Sequence, residues 1–244
     1  STSDNFTIFQ NNFINFKKRC EVTIEDNFNF INNSINNINY NINVEEDATI
    51  KHNIFQNFAN SNKLYLTSNT VCEKNSSYSQ NTYNFSDGFV RNFHHVNLNG
   101  EFSKASLKGC FFLKDKNISS NKTNIKHNAE KCISDQTYKG ILNDHSKANY
   151  YSNTFVSENA QKTEGYQLSK GILLTDNCSF FSKPELRIFA DDVKCSHGST
   201  IGPVDESALY YLRSRGISKN EAMKMIISSF IEEDLQNLDK NTAE

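Results

Sequence analysis

The chain has 244 residues, a mass of 27.9 kDa and a formal charge of −2, a size that fits one large domain or two small ones. Lys and Arg do not outnumber Asp and Glu, so no net positive charge favours nucleic-acid binding. No apolar run approaches the ~20 residues that a membrane-spanning helix needs. Nineteen Phe and ten Tyr are too many for a disordered chain, and we expect a folded protein.

Residues 1–99 contain short stretches in which every second residue is apolar. Between positions 38 and 44, the side chains of Ile38, Tyr40, Ile42 and Val44 alternate with asparagines. A period of two places these side chains on one face of a β-strand. The alternation recurs at 64–66 and 96–98 in a region that holds 24 of the 36 Asn residues of the chain. The sequence therefore predicts several short strands here.

Further strands are predicted at 105–113, 137–142, 153–156, 171–174 and 185–189. Only two Pro and nine Gly occur, which are few for a sandwich built from tight hairpins. Many short strands with few hairpins indicate a β-solenoid, in which successive coils pair in parallel. We expect Asn at the corners of the coils, because its side chain tolerates a left-handed backbone.

The apolar period becomes helical after residue 203. The sequence predicts a helix over 206–215, with Gly216 in the left-handed position that follows many helices. Ser218 and Glu221 have the spacing of a capping box, which begins a second helix. We therefore divide the chain into a β-domain of residues 1–203 and a helical domain of residues 204–244. The second helix carries an apolar stripe formed by Ala222, Met225, Ile226, Ile227 and Phe230.

The six cysteines are widely spaced and include no Cys-x-x-Cys pair. We expect free thiols in a reducing compartment rather than a disulfide scaffold. Four of them have no partner at ligand spacing and are expected in the core: Cys72, Cys110, Cys132 and Cys178. The adjacent histidines His94 and His95 would diverge on a strand, and we expect both on the surface.

Cys195 and His197 are two residues apart. On an extended strand the thiol and the imidazole leave from the same face, within reach of one metal ion or cluster. A closed tetrahedral site needs four ligands, so this pair would form part of a site shared with another chain. Spacing alone also allows a buried thiol beside a hydrogen-bonded histidine.

The sequence around this pair resembles a known family. Residues 183–202 read KPELRIFADDVKCSHGSTIG, and residues 205–217 read DESALYYLRSRGI. Both strings closely resemble the C-terminal signature of the SufD branch of the SufB/SufD family. Segments at 124–127, 136–140 and 160–167 are similar to that family in order and rough spacing. SufB, the paralogue with the same fold, lacks the KCSHG string.

The resemblance implies a right-handed parallel β-helix followed by a small helical domain, and a scaffold role rather than an enzymatic one. SufD pairs with SufB through the β-helices, and the C-terminal helices bind the SufC ATPase. A nascent iron–sulfur cluster is built at the SufB–SufD interface. The resemblance thus implies a transient cluster or iron shared with SufB, and no cofactor held tightly by the isolated chain. No Gly-rich phosphate loop is present, so we expect no ATP chemistry in this chain.

The resemblance also implies roles for individual residues. His197 corresponds to a motif histidine implicated in cluster formation, and Cys195 to its neighbouring cysteine. His127 is similar to a histidine inside the β-helix, where a purely structural hydrogen bond is an equal alternative. The predicted SufC-docking residues are Leu209, Tyr210, Leu212, Arg213, Met225, Ile226 and Phe230.

Other functions remain open at the level of sequence. They are a SufB-like paralogue, a homodimeric β-helix scaffold and a carbohydrate-active β-helix enzyme, although the chain has no Trp and no clear acidic cluster. The chain starts with Ser1 and resembles a processed fragment. With its Asn content, this start favours the plastid of a parasite (an apicoplast), and the bacterial cytoplasm is the alternative.

Overall fold

The computed structural model describes residues 6–30, 33–59 and 62–235, with side chains described as far as residue 232. Fourteen strands and two helices lie within these ranges. The strands are β1 Phe6–Phe16, β2 Glu21–Phe28, β3 Ser34–Val44, β4 Thr49–Gln56, β5 Asn62–Cys72, β6 Ser77–Asn84, β7 Gly88–Leu98, β8 Lys104–Leu113, β9 Ile118–His127, β10 Ile133–Leu142, β11 Lys147–Val156, β12 Thr163–Leu173, β13 Ser179–Ile188 and β14 Val193–Pro203. The helices are α1 Glu206–Ser214 and α2 Lys219–Leu235.

The strands alternate along the chain between two parallel sheets. Sheet A has the order β1-β3-β5-β7-β9-β11-β13, and sheet B has the order β14-β12-β10-β8-β6-β4-β2. Every recorded pairing is parallel, as where Phe6 pairs with Ser34 and Thr163 with Val193. Each coil adds one strand to each sheet, so the chain winds into a β-solenoid of seven coils. The predicted solenoid followed by two helices is confirmed.

A left-handed residue recurs at six of the seven turns from sheet A to sheet B, with φ between 56° and 62°. Its backbone N–H donates to a carbonyl of the next coil, over 2.6 to 3.3 Å. Because this bond uses only the backbone, it stabilises the left-handed conformation of residues with different side chains. The expectation of Asn at these corners is therefore wrong at five of the six. The residues are Arg19, Asp47, Asn75, Phe102, Lys131 and Lys162.

Other positions of the turns do hold Asn, as at Asn117, Asn128 and Asn143, and further asparagines on the strands connect coils. The amide of Asn39 donates to Asn11 and that of Asn43 to Asn15, each over 3.0 Å. In-register parallel coils place equivalent residues close together, and an amide both donates and accepts. The high Asn content thus stabilises the stacking of coils.

The strands are longer than predicted, because polar residues also face the interior. In β9, Ser119, Asn121, Thr123 and His127 are all buried. Such inward polar residues hide the apolar alternation that marks a half-buried strand. For this reason β9 does not stand out in the sequence.

Two glycines make room for buried rings. The rings of Tyr138 and Tyr150 stack with centroids 4.2 Å apart, and both side chains are fully buried. A Cβ on Gly109 would lie 2.2 Å from the Tyr138 ring, and one on Gly140 would lie 2.2 Å from Phe111. These positions therefore need glycine for close approach rather than for backbone conformation.

The helix boundaries follow from the predicted caps. Asp205 accepts from the backbone N–H of Ser207 over 2.9 Å at the start of α1, and Gly216 has φ +87° beyond its end. Ser218 and Glu221 form the capping box of α2, with Oγ donating to the carboxylate over 2.7 Å. Neither helix of the described chain is long and apolar enough to cross a membrane.

Candidate functional site

The last coil has open edges. β13 ends sheet A and β14 ends sheet B, and no strand of the described residues pairs beyond either. Such an edge presents unpaired backbone N–H and C=O groups, which can pair with a strand of another chain. The last coil is therefore one of two surfaces, with the first coil formed by β1 and β2, at which a second β-helix can continue the sheets.

Cys195 and His197 lie on the inner face of β14. Cys195 pairs in register with Gly165 and His197 with Gln167, and both partners are buried on the inner face of β12. Cys195 is half-buried and packs beside Val156, whereas His197 is exposed. No coil of the described chain covers this inner face, so the imidazole faces out at the open end.

The pair offers one sulfur and one nitrogen donor. Burial raises the pKa of the Cys195 thiol, so the thiol is protonated at neutral pH. A metal ion would replace that proton. Across the described residues no group of three or more His, Cys, Asp or Glu comes together for a metal. Cys195 and His197 thus offer two donors, fewer than the four ligands of a closed tetrahedral site.

His127 lies inside the solenoid and is fully buried. Its Nε2 lies 2.8 Å from Ser134 Oγ, and its Nδ1 has no hydrogen-bond partner among the described residues. Burial lowers the pKa of His127 to about 4, so the ring is neutral at physiological pH. The structure gives His127 a hydrogen bond to Ser134 and places it on a different strand from Cys195.

The adjacent histidines diverge as predicted, but the expectation that both lie on the surface is wrong. His94 is fully buried, with Nδ1 2.8 Å from Ser68 Oγ, and His95 faces outward. Burial, and then the nearby charge of His52, lowers the pKa of His94 to about 3. His94 shares the inner face of β7 with Val96 and Leu98, whose alternation in the sequence already indicated this parity.

A hydrogen-bonded group of polar side chains in the interior gives no local sign in the sequence. His52 Nε2 lies 2.7 Å from Asp26 Oδ2, and His52 Nδ1 lies 3.1 Å from the Tyr78 hydroxyl. Tyr40 donates to the same Asp26 oxygen over 2.7 Å. Burial raises the pKa of Asp26, but the hydrogen bonds from His52 and Tyr40 outweigh it and lower the net pKa. Only the register between coils brings these residues together.

The cysteines agree with the expectation of free thiols. All six are free in the structure. Cys20 and Cys195 are half-buried, and the four cysteines predicted in the core are buried there: Cys72, Cys110, Cys132 and Cys178.

The predicted docking residues of the helices fall into two groups. Tyr210 and Met225 are 75% and 51% exposed, and Arg213 is also exposed. Phe230 instead packs beside β10, where Lys139 Nζ lies 5.8 Å from its ring centroid. Buried or half-buried residues make up the second group: Leu209, Leu212, Ile226 and Phe230.

One family model and several known proteins are similar to this chain. The family model described as "SUF system FeS cluster assembly, SufBD core domain" matches residues 1–230. The iron–sulfur cluster assembly protein SufD of Escherichia coli (strain K12) is 30% identical over 218 residues, covering 88% of this chain and 51% of the relative. SufD of Plasmodium falciparum (isolate 3D7) is 28% identical over 200 residues, covering 80% of this chain and 13% of the relative.

A plant relative, the chloroplastic protein ABCI7 of Arabidopsis thaliana, is 39% identical over 90 residues, covering 37% of this chain and 19% of the relative. The chain spans about half the length of the first two curated relatives. The resemblance drawn from the C-terminal motif is confirmed. The chain belongs to the SufBD core family of the SUF system for iron–sulfur cluster assembly.

Proposed function

We propose that this chain is a SufD-type scaffold subunit that pairs with SufB along its last coil and docks the SufC ATPase through its helices. The observation that carries the proposal is the position of Cys195 and His197 on the uncovered inner face of β14. A strand that adds to the open edge of β14 brings its own side chains next to this pair.

The pair supplies part of the ligands for a nascent cluster. Thiolate sulfur and imidazole nitrogen both bind iron, and thiolates are the usual ligands of iron–sulfur clusters. Because this chain offers only two such donors here, SufB provides the others. The cluster is a transient substrate of the assembly, and it leaves when the interface is reshaped. The ATPase activity belongs to SufC.

Pairing with SufB uses apolar residues as well as open backbone groups. Ile188 pairs with the buried Val156 and so lies on the inner face of β13, yet it is 37% exposed at the open end. A covering coil from SufB removes this apolar surface from water.

The helices dock SufC through their exposed face. Tyr210 and Met225 are large apolar side chains that no described part of this chain covers. Aromatic residues and Met are enriched in the centres of protein interfaces. Leu209 and Phe230 instead hold the helices together and against β10.

Reconstitution with SufB and SufC tests the role of His197. Iron and sulfide are supplied under anaerobic conditions, and cluster formation is followed by visible absorbance. We expect His197→Ala to lower the cluster yield about tenfold or more while the complex still forms, since a ligand is lost without loss of packing. Ser199→Ala is the matched control, because Ser199 is exposed on the same face of β14. A wild-type yield from His197→Ala would refute the proposal.

Native mass measurement of the mixture tests the pairing. We expect Ile188→Asp to abolish pairing with SufB, and Ile133→Asp to preserve it. Ile133 is equally exposed at 37% but lies on the outer face of β10, away from the open end. Equal effects of both substitutions, or a homodimer of this chain that persists in the presence of SufB, would contradict pairing along the last coil.

A pull-down with SufC tests the helices. We expect loss of binding when residues 204–244 are removed and strong weakening by Tyr210→Ala. Tyr211→Ala is the control, because Tyr211 is also exposed but packs against Arg215, the residue that follows its helix. Binding that survives the deletion would reject docking through the helices.

The compartment is a further part of the proposal. Relatives named SufD occur in a bacterium and in Plasmodium falciparum, and the plant relative is chloroplastic. Together with the Asn-rich composition, this supports a plastid, namely an apicoplast, with the bacterial cytoplasm as the alternative. Imaging of the tagged protein against a plastid marker in its own cell decides between them.

A further inference from the structure

The outer face of sheet A is basic, aromatic and unpartnered, and we propose that it docks an acidic polypeptide segment of a partner protein. This surface, called the basic face below, consists of the outward side chains of β5, β7, β9, β11 and β13. It lies on the outside of the solenoid, whereas Cys195 and His197 lie on the inner face of β14 in the other sheet. The proposal is therefore independent of the site at the last coil.

The charge of the chain is unevenly distributed between the two sheets. Glu185 is the sole acidic residue in the strands of sheet A. Sheet B is close to balanced, with basic residues at 51, 104, 108, 139, 170 and 194 and acidic residues at 21, 25, 26, 135 and 164. The basic face thus has a positive electrostatic potential, although the net charge of the whole chain is −2. Its basic residues are Lys63, Arg91, Lys122, Lys126, Lys147, Lys183 and Arg187.

Register places cations and aromatic rings in alternation across the coils. Phe93, Lys122, Tyr151 and Lys183 occupy one row, each paired with the next. Neighbouring strands are ~4.8 Å apart, so this row is a compact ladder of two cations and two rings. Lys122 Nζ lies 5.2 Å from the centroid of the Phe93 ring. The ladder cannot be seen in the sequence, because its members are one coil apart.

A second row repeats the arrangement further along the strands. Lys126, Phe155 and Arg187 pair in register, and Lys126 Nζ lies 5.4 Å from the Phe155 centroid. Lys122 and Lys126 are four residues apart on β9, a separation of ~13 Å along an extended strand. In an extended partner segment, carboxylates four residues apart have the same spacing and meet both ammonium groups.

The two cations of the first row, and Arg91 two residues before Phe93 on β7, have no carboxylate partner among the described residues. Arg187 pairs with Glu185 over 2.7 Å, whereas no described carboxylate lies within ion-pair distance of Arg91, Lys122 or Lys183. These side chains and Tyr151 line an open groove of about 750 Å³ on the basic face. Glu185 and Arg187, which pair with each other, also line the groove. An anionic partner can contact Arg91, Lys122 and Lys183 there without breaking an existing ion pair.

The orientation of the rings favours carboxylates over nucleic-acid bases. Tyr151 and Phe181 contact each other with centroids 5.8 Å apart, and Phe155 and Phe189 with centroids 5.2 Å apart. Rings that contact the next coil, or that carry a Lys over one face as Phe93 does, offer few open faces for base stacking. Their edges carry partial positive charge, which attracts carboxylate oxygens. We therefore assign the basic face to an acidic polypeptide rather than to a single-stranded nucleic acid.

Fluorescence anisotropy with the full chain and a labelled oligoglutamate peptide tests the proposal. We expect binding at low salt that weakens as salt screens the charges. The double substitution Lys122→Glu and Lys183→Glu should weaken it about tenfold or more, because repulsion replaces attraction at both positions. Lys104→Glu with Lys170→Glu makes the same charge change on exposed residues of sheet B and should leave binding nearly unchanged.

The outcomes separate the possible partners. Lys122→Arg with Lys183→Arg keeps the charge and should retain binding, and an unchanged circular dichroism spectrum of the Glu variant shows that it is folded. Absence of oligoglutamate binding, or equal loss in both Glu double variants, would overturn the proposal. Tighter binding of an oligothymidylate of equal charge would also overturn it and would assign the basic face to nucleic acid.

Discussion

Gly165 separates the thiol of Cys195 from the hydroxyl of Ser134, two coils further in. A Cβ built on this glycine would lie 3.3 Å from Cys195 Sγ and 3.5 Å from Ser134 Oγ. Ser134 Oγ in turn lies 2.8 Å from Nε2 of the buried His127. Glycine at this position therefore lets the thiol settle inward on the last coil, where it is half-buried.

Gly165→Ala should expose the Cys195 thiol. The new methyl group is tighter against Sγ than ordinary van der Waals contact, and the thiol at the open end can move outward. We expect faster modification by a maleimide in a Cys20→Ser background, where Cys195 is the one cysteine that is not buried. Gly198→Ala is the control, because its Cβ meets Leu168 at an ordinary 3.5 Å. An unchanged rate in Gly165→Ala would show that the glycine does not position the thiol.

The reactivity of Cys195 should depend on pH in a way that reports its burial. Desolvation raises the pKa of this thiol in the folded chain, so the thiolate forms at a higher pH than in the unfolded chain. We expect the midpoint of the alkylation rate at Cys195, followed by peptide mass mapping because urea also exposes the four core cysteines, to lie at higher pH in buffer than in denaturing urea. A lower midpoint in the folded chain would mean that a nearby positive charge outweighs burial.

Stability should fall as the pH drops below 6.5, because two buried histidines resist protonation. The folded pKa of His94 is about 3 and that of His127 about 4, whereas an unfolded histidine titrates near 6.5. Both are depressed, so the unfolded state binds more protons, and their contribution is present above pH 6.5 and lost on acidification. At pH 5 the loss is about 2 kcal/mol for each histidine, measured by urea unfolding at pH 5 and 7.5.

A substitution isolates the contribution of one of the two histidines to the pH dependence of stability. His94→Gln should remove about half of this pH dependence, whatever its effect on absolute stability. His95→Gln, on the outer face of the same strand, is the matched control substitution. If the free energy of unfolding changed equally with pH in wild type and His94→Gln, the buried His94 would not be a source of the pH dependence.

The close approach of Gly109 to the ring of Tyr138 can be tested by substitution. Gly109→Ala places a Cβ 2.2 Å from the ring of Tyr138, which is stacked on Tyr150 and cannot turn away without disturbing it. Overpacking of this kind lowers the free energy of unfolding by about 1–3 kcal/mol. Gly202→Ala is the matched control, because its Cβ meets no atom within 4 Å. Thermal unfolding of both variants should therefore show a lower melting temperature for Gly109→Ala alone.

Local patterns in the sequence predicted the parts of the fold that local interactions stabilise. The capping box of Ser218 and Glu221 and the left-handed Gly216 are each complete within one turn of chain, so their spacing was sufficient. The alternation from Ile38 to Val44 likewise marked the inner face of β3. The pair of Cys195 and His197 could be placed on one face because the period of a strand is two.

The tertiary structure alone decided what depends on contacts between coils. The left-handed Arg19 and Lys131 are stabilised by carbonyls of the following coil, so their side chains give no local sign of the turn. His94 lies on the inner face of β7 with Val96, and it is accommodated there because Ser68 of the neighbouring coil lies 2.8 Å from its Nδ1. Lys122 meets Phe93 and Tyr151 only through parallel register. Periodicity along one strand reports which face a residue occupies, whereas its neighbours across the sheet are set by the stacking of coils.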